Sequence, residues 1–480
     1  MSLRKHTSYN LLGALLPMGV ALATIPLFLQ AIGDARYGVL ALTWLLLGYF
    51  GVFDLGLGTA ASQRMAALER SMPAKRARVF WTALAMNAAL GIGGGILLST
   101  ATLYAAHHLV SDSALRAELV DAVPWMVTAV PVATLSTVLI GSLQGRSQFL
   151  ELSIIGVLGS AIAQTLPLLV ALAWGPELPK LIGSVVLSRA LTILVLFWRC
   201  FIHVPASGGV VLSRITAGQL LRFGGWVTLS SIVGPLMVAL DRFAIATFLG
   251  ARAVAQYAVP FQLTERLVVL PAALAAALFP RIASRQTEAA GKLVIDSSKT
   301  LICALTPIAL AGVLAIKPFI GWWITPEFAA HAGEPAQILI VAFWLNSCAQ
   351  IPFSQLRAVG RPDLVAKCHL GELLPYLVLL YVGVKYGGLV GAALAFLVRV
   401  AADCLLLMRF SGLLNSLGLV VIAHLMLLIV ALIFTKLGQF GAPTWWIGMG
   451  CLLVSVIALL WRTAPKGVMR DVTEQFRRFA

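Results

Sequence analysis

Several ionisable side chains lie deep inside apolar stretches of this 480-residue chain. They are one acid, one base and two adjacent acid–base pairs: Asp54, Arg189, Asp241–Arg242 and Glu265–Arg266. Two acids and one base follow in later apolar stretches: Glu372, Asp403 and Arg399. A charge at the centre of a bilayer costs about 2.5–3.5 kcal/mol on insertion scales, so it usually faces a partner or a wet cavity. Charges in several separate apolar segments therefore predict a protein that handles something within the membrane interior.

The composition indicates that these charges are carried by membrane-spanning helices. Hydrophobic residues make up 60% of the chain, charged residues make up 11%, and the mean hydropathy is +0.94. Soluble domains contain about 25% charged residues, so this chain cannot solvate a globular surface. The apolar runs are continuous, whereas the strands of a membrane β-barrel alternate apolar and polar residues. We therefore predict an all-α, polytopic membrane protein.

Apolar windows bounded by charges, glycine or proline predict fourteen spans. Twelve of them form two successive sets of six: 9–32, 38–61, 79–105, 119–143, 149–174 and 180–201, then 219–248, 252–280, 297–324, 335–359, 364–385 and 387–411. Two more are predicted at 414–436 and 441–462. Prolines inside these windows predict kinked or broken helices.

The distribution of basic residues orients the spans. With the N-terminus in the cytoplasm, 24 of the 35 Lys and Arg residues lie in cytoplasmic segments, seven in external loops and four within spans. This asymmetry follows the positive-inside rule and predicts that both termini are cytoplasmic. The net charge of +16 is explained by the same short loops, which face anionic headgroups, so we expect no nucleic-acid partner.

The chain also resembles itself at an offset of about 215 residues, which predicts two parallel six-helix repeats around a central cavity. Four short matches recur in order at equivalent places in the span pattern: Ile32-Gly33 with Leu249-Gly250, Arg64 with Arg281, Gly145-Arg146 with Gly360-Arg361, and Leu181-Ile182-Gly183 with Leu389-Val390-Gly391. The predicted organisation is a first bundle (1–203), a cytoplasmic linker (204–218), a second bundle (219–411), two additional helices (412–462) and a basic cytoplasmic tail (463–480).

Diffuse motifs in both repeats resemble a known family. These motifs are PLFL at 26–29, IGDARYG at 32–38, FDLGLG at 53–58 with Arg64 after it, and DRF at 241–243 ahead of Gly250 and Tyr257. They are similar to bacterial polysaccharide-biosynthesis flippases of the multidrug/oligosaccharidyl-lipid/polysaccharide (MOP) superfamily, with the O-antigen (Wzx-type) members closest in pattern. The resemblance covers roughly residues 5–411. It implies two six-helix bundles around a cavity and transfer of a polyprenyl-pyrophosphate-linked oligosaccharide from the cytoplasmic to the periplasmic leaflet, by alternating access.

Given that resemblance, the buried charges become candidate site residues. Arginine suits a lipid pyrophosphate because its guanidinium is permanently charged and forms paired hydrogen bonds with phosphate oxygens. The candidates for the substrate cavity are Arg189, Arg242, Arg266, Arg399, Asp241 and Glu265. Asp54 and Glu372 are candidates for coupling to Na⁺ or H⁺, and Arg64 and Arg281 could capture an entering headgroup at the cytoplasmic side.

Each assignment has a structural alternative. The acid–base pairs could hold bundle helices together, and Arg242 could bridge to Glu265 across helices. Asp54 could instead bind the backbone near Gly56 and Gly58, and Arg399 could pair with Asp403 one helical turn away. Ordinary positive-inside anchoring would account for the two cytoplasmic arginines.

Other function classes fit the residues less well. A multidrug or cation antiporter of the same superfamily should have a cavity dominated by carboxylates, whereas here buried arginines and acids are similar in number. A membrane-embedded polymerase or ligase needs a larger external loop than the one near 105–119. The six scattered cysteines form no C-x-x-C pair, which favours neither a metal site nor a disulfide framework. We therefore expect a non-enzymatic transporter of the bacterial inner membrane without a bound cofactor, which works beside polysaccharide polymerase machinery.

Overall fold

The computed structural model describes residues 3–49, 54–68, 72–109, 113–146, 148–204, 211–221, 233–284, 288–438 and 441–465. All regular secondary structure within these ranges is helical, as predicted. The first seven helices are α1 (Leu3–Tyr49), α2 (Leu57–Ala67), α3 (Pro73–Leu109), α4 (Ser113–Asp121), α5 (Val123–Gly145), α6 (Phe149–Trp174) and α7 (Leu178–His203). After a short helical segment at 214–221 follow α8 (Val233–Leu249), α9 (Ala251–Thr264), a 3₁₀ turn (Glu265–Val268), α10 (Val269–Ser284), α11 (Glu288–Trp323), α12 (Pro326–Ala358), α13 (Pro362–Phe410), α14 (Leu414–Leu437) and α15 (Pro443–Thr463).

The helix α1 is a hairpin of two arms. Gly33 adopts φ 75° and ψ 164°, a conformation outside the helical region that glycine enters at little cost. Beyond this point the chain folds back, because the rings of Phe28 and Trp44 pack 5.6 Å apart. In a continuous helix those residues would be about 24 Å apart. The first arm corresponds to the predicted span 9–32, and the second arm begins the predicted span 38–61.

The helix α13 is a second hairpin, and its turn lies at Gly388, with φ 56° and ψ −137°. The two arms approach so closely that a Cβ atom on Gly391 would overlap the backbone of Gly383. His369 and Asp403, on opposite arms, come within 3.5 Å of each other. The arms match the two predicted spans 364–385 and 387–411.

Ten helices in the described parts of the chain are long and apolar enough to cross a membrane, and α13 counts once among them although it contains two arms. The prediction of a multi-pass helical membrane protein is therefore confirmed. Several predicted boundaries were wrong. The span 38–61 is divided between α1 and α2. The span 252–280 is matched by one candidate span, Ala251–Ala275, which contains the 3₁₀ turn at Glu265–Val268. The span 119–143 begins at Val123, after the separate short helix α4.

The residues group into two compact units, Met1–Ala255 and Gln256–Ala480. Within the first unit, α5 packs against α2, α3 and α7, while α6 packs against α1 and α7. Small residues allow these contacts, since a Cβ atom on Gly141 of α5 would overlap the carbonyl oxygen of Gly58 on α2. Residues of α2, including Leu57 and Met65, are fully buried in the resulting core.

Within the second unit, α12 forms the buried centre and packs against α10, α11 and α13. The helix α14 lies against α11, and α15 lies against α14 and α11. Most side chains of α15 are exposed, so the two helices beyond the predicted repeat occupy the edge of this unit.

Local geometry recurs at matched positions of the predicted repeat. Gly33 and Gly250 both have positive φ, at 75° and 84°, and each directly precedes a helical arm. Gly145 ends α5 and Arg146 follows it before α6, and Gly360-Arg361 lies between α12 and α13. The predicted domain boundaries remain a prediction, and most of the predicted linker and the basic tail lie outside the described residues.

Candidate functional site: a polar groove in the α13 hairpin

A cavity of about 430 Å³ lies between the two arms of α13. Its walls are mostly carbon, and its lining residues are Lys367, Cys368, Gly371, Glu372, Pro375, Tyr376, Leu379, Val398, Arg399, Ala402, Leu406 and Phe410. It is the candidate site because it brings Glu372 and Arg399, two residues singled out in the sequence, into one apolar enclosure.

The sequence of each arm produces the groove. On the first arm Gly371, Pro375 and Leu379 recur every four residues, and on the second arm Ala402, Leu406 and Phe410 do the same. Residues at this spacing share one face of a helix, so two ridges run along the groove. Gly371 and Ala402 leave room between the ridges because their side chains are minimal. Pro375 has no N–H to donate to the backbone four residues earlier, which loosens the helix beside the cavity.

Glu372 lines the groove and is 7% exposed. Neither of its carboxyl oxygens has a hydrogen-bond partner in the described part of the chain. Buried polar groups are almost always hydrogen-bonded, because leaving one unsatisfied costs about 1–3 kcal/mol and more for a charged group. An unsatisfied buried carboxyl group that lines a cavity is therefore the feature of this site that most requires a functional explanation.

His369 and Asp403 form a second polar pair beside Glu372. Nε2 of His369 lies 3.5 Å from Oδ1 of Asp403, so the two form an ion pair when the imidazole is protonated. The His369 ring stacks on Phe353 of α12, with centroids 6.5 Å apart, and Arg357 covers the same phenyl ring at 5.3 Å. The contact with α12 holds the imidazole beside Asp403.

Arg399 is held by aromatic rings of the same hairpin. Its Cζ atom lies 5.4 Å from the centre of the Tyr376 ring and 5.0 Å from that of Phe396. A guanidinium over an aromatic face is attracted by the ring quadrupole, and the attraction strengthens where water is excluded. Arg399 thus supplies a permanent positive charge to a groove that the carboxyl group of Glu372 also lines.

Asp54 has the surroundings expected if its carboxylate binds the nearby backbone, which was the alternative to a role in ion coupling. Its side chain is buried and accepts the backbone N–H of Gly56 at 2.7 Å and that of Gly58 at 3.2 Å. Both amides belong to the beginning of α2, where N–H groups lack intrahelical partners. This geometry makes Asp54 a capping residue of α2, and its role in ion coupling remains a prediction without a supporting contact.

The other candidates of the first unit lie apart from one another. Arg64 is exposed at the end of α2, where its guanidinium donates to the side-chain oxygen of Gln219. Arg189 is exposed on α7. Asp241 and Arg242 are buried on α8, and Arg242 is close enough to Tyr37 for an electrostatic interaction. Their roles in substrate binding remain predictions.

In the second unit, Glu265 and Arg266 occupy the 3₁₀ turn between α9 and α10, where both side chains are half-buried. Arg281 belongs to α10, but its side chain lies outside the described residues. The sequence analysis did not single out His369. The signal that could have found it is its position three residues before Glu372, which places both side chains on one helix face within an apolar span.

The donor atoms of the groove do not form a metal site. Within the described ranges, no group of three or more His, Cys, Asp or Glu residues is placed to hold a metal ion. The groove therefore combines a carboxyl group, a guanidinium and mostly apolar walls.

Comparison with known proteins places this geometry in context. The family model described as "Polysaccharide biosynthesis protein" matches residues 3–286. The chain is 28% identical over 408 residues to a candidate O-antigen transporter of Shigella flexneri, covering 85% of this chain and 97% of that protein. It is 22% identical over 411 residues to the lipopolysaccharide biosynthesis protein WzxC of Escherichia coli K12, covering 83% and 79% of the two chains.

Two solved structures share the fold over most of their length. The inward closed conformation of the lipid II flippase MurJ superposes with a TM-score of 0.71 at 11% identity, covering 97% of this chain and 99% of that one. The inward-facing conformation of a multidrug resistance MATE family transporter of the MOP superfamily gives a TM-score of 0.65 at 15% identity, covering 84% and 95%. At these identities the similarity establishes the fold alone.

Proposed function

The chain belongs to the polysaccharide biosynthesis protein family, and from this premise we propose that it is a flippase. Its cargo is a polyprenyl-pyrophosphate-linked oligosaccharide, which it moves from the cytoplasmic to the periplasmic leaflet of the bacterial inner membrane. The observation that carries this proposal is the similarity to the O-antigen transporter of Shigella flexneri, which spans 97% of that protein. The MurJ-like fold is consistent with it, because that fold also serves a flippase.

Charges within the spans support a cargo with an anionic headgroup. Arg189, Arg242 and Arg399 lie on helices predicted to cross the membrane, and guanidinium groups bind phosphate oxygens in pairs. Such charges persist in apolar segments when they face a partner or a wet path. We therefore assign the pyrophosphate to a cationic cavity and the transport cycle to alternating access, powered by an ion gradient.

The same proposal covers topology and partners. Both termini lie in the cytoplasm, as the positive-inside distribution predicts, and the lipid-linked product is delivered to polysaccharide polymerase machinery outside. The protein itself carries out no covalent chemistry. It needs no metal or organic cofactor beyond a coupling ion.

A reconstituted assay tests the proposal. The purified chain is placed in vesicles with a polyprenyl-pyrophosphate-linked oligosaccharide that carries a fluorophore on its sugar, and a membrane-impermeant quencher reports the leaflet. We expect the quenchable fraction to change with time only in vesicles that contain the protein. A constant fraction, together with transport of cationic dyes, would instead assign the chain to drug export.

A matched pair of variants links the assay to the groove. Arg399→Gln removes the guanidinium that stacks on Tyr376 and Phe396, and we expect it to lose most of the flipping rate. Arg409→Gln removes an exposed arginine from the same arm of α13 and should flip at the wild-type rate. Equal rates in both variants would remove Arg399 from the site.

A further inference from the structure

We propose that the α13 groove is a proton-binding site, in which the carboxyl group of Glu372 takes up one proton in a cluster with Asp403, His369 and Arg399. The inference about the site stands on its geometry, whereas its use as the coupling site rests on the proposed function. The coupling ion, which the family assignment leaves open, is then a proton, and Glu372 is the group that binds this proton.

The depth of the cluster is the first support. Glu372 lies ten residues after Pro362, where α13 begins, which corresponds to about 15 Å along the helix. Arg399 lies at a similar distance from the other end of the hairpin, at Phe410. The hydrocarbon core of a bilayer is about 30 Å thick, so a hairpin that stands across it places these groups near its middle. Uncompensated charge is strongly unfavourable there.

The charge balance of the cluster is the second support. Glu372 and Asp403 carry two negative charges when ionised, and Arg399 carries one positive charge. These three groups sum to one negative charge, and a single bound proton offsets it. Glu372 has two buried oxygens without a hydrogen-bond partner among the described residues, whereas Asp403 has one, Oδ1, which lies 3.5 Å from Nε2 of His369. Glu372 is therefore the better acceptor.

The remaining ionisable neighbours do not change this balance. Lys367 lies exposed at the rim and is 3.8 Å from Asp363, which offsets its charge. From α12, Arg357 reaches Phe353 but is exposed at the end of its helix. The two arms also carry the thiols of Cys368 and Cys404 and the hydroxyl of Tyr376, and ordinary thiols and phenols are uncharged at neutral pH. The helix α14 carries two further titratable groups, and both have partners elsewhere. Nδ1 of His424 is hydrogen-bonded to the carbonyl of Val420 at 2.8 Å, and Lys436 binds Glu334.

A proton fits this site better than a metal cation. Hard cations in proteins are held by about six oxygen ligands. The residues that line the groove offer the Glu372 carboxyl group and the Tyr376 hydroxyl, with the Asp403 carboxyl group beside them and the Arg399 guanidinium between the arms. These few oxygens fall short of that number, whereas a proton needs only one oxygen atom.

His369 connects the site to the open end of the hairpin. It lies one helical turn from Glu372 toward the beginning of α13, and it contacts Asp403 on the other arm. Imidazole exchanges protons readily near neutral pH. His369 is therefore placed to pass a proton between the rim and the carboxyl groups, and the cavity beside it is large enough for ordered water.

Infrared difference spectroscopy on the full chain in lipid bilayers tests the site without any transport substrate. Lowering the pH should produce the C=O stretching band of a protonated carboxylic acid, and Glu372→Gln should abolish that band. Asp363→Asn, which removes an exposed carboxylate from the same helix, should leave it unchanged. A band that survives in Glu372→Gln, or no band in the wild type, would overturn the proposal.

Two further measurements cover the other outcomes. If Glu372→Gln does not fold, the Asp403→Asn variant tests the proposal instead. Loss of the neighbouring negative charge should lower the pH at which the protonated-carboxyl band reaches half its height. An unchanged midpoint would exclude the cluster. A carboxylate band that shifts when sodium replaces choline at constant pH would indicate a metal-cation site and would also overturn the proposal.

Transport then tests the coupling role. In the vesicle assay, an imposed pH difference should accelerate flipping by the wild type and leave the rate of Glu372→Gln unchanged. A variant that still responds to the pH difference would exclude Glu372 as the coupling group. Absence of flipping by the wild type would count against the proposed function instead, and the infrared result would still decide the proton site.

Discussion

The guanidinium of Arg36 donates two hydrogen bonds to the carboxylate of Glu118. The same carboxylate accepts the backbone N–H of Leu178, 3.1 Å away, so one side chain joins α1, α4 and α7 within the first unit. The hydrogen bonds from Arg36 are the largest cause that holds the pKa of Glu118 below its ordinary value of 4.5.

This arrangement predicts a pH-dependent contribution to stability. Since the pKa is lower in the folded than in the unfolded chain, the stabilisation is fully present above about pH 4.5 and is lost as the pH falls through the lowered pKa. Glu118→Gln should therefore reduce the Tm in detergent at pH 7 and bring the wild-type and variant curves together in acid. Asp121→Asn, an exposed change on the same helix, is the control and should leave the pH profile unaltered. A constant difference in Tm across the pH range would contradict the assignment.

Substitutions of Asp54 separate capping from ion coupling. Asparagine keeps an oxygen that accepts the amides of Gly56 or Gly58 but cannot carry a proton, whereas alanine loses both properties. If Asp54 caps α2, Asp54→Asn should stay folded and flip near the wild-type rate, while Asp54→Ala should lose about 1–2 kcal/mol of stability. Chemical denaturation and the flipping assay measure the two effects. A folded Asp54→Asn protein without transport would restore the ion-coupling hypothesis.

Glycine contacts between spans predict opposite effects for two similar substitutions. A Cβ atom on Gly141 would overlap the carbonyl oxygen of Gly58, so Gly141→Ala should force α2 and α5 apart and cost about 1–3 kcal/mol. Gly156 on α6 has open space around the position of a Cβ atom, so Gly156→Ala should be neutral or stabilise the helix by up to about 1 kcal/mol. Thermal unfolding of both variants in the same detergent gives the comparison. Equal Tm values would show that the helices adjust freely.

Arg189 and Arg242 should differ in how they affect stability. Both variants to alanine are expected to insert into the membrane and to lose flipping, because both arginines are candidates for binding the pyrophosphate. Arg242 is buried beside the buried Asp241, so Arg242→Ala should also lose about 3 kcal/mol of stability. Arg189 is exposed, so Arg189→Ala should unfold like the wild type. Wild-type flipping in either variant would remove that arginine from the site.

The sequence alone determined the class of protein and identified the ionisable residues that lie within apolar segments. These features depend on transfer free energy and on local turn chemistry, which a short stretch of chain encodes by itself. The turn at Gly388 is an example, because the predicted boundary between 385 and 387 lies beside it.

Only the tertiary structure decided which of those charges meet. Glu372 and Arg399 share a groove because the α13 hairpin closes on itself, and His369 joins them because α12 holds its ring against Phe353. In the sequence Asp54 was as good a candidate for ion binding as Glu372. In the structure, however, its carboxylate accepts the N–H groups of Gly56 and Gly58. Whether a buried carboxyl group is satisfied depends on atoms from distant segments and on the path of the backbone, and neither can be read from spacing along the chain.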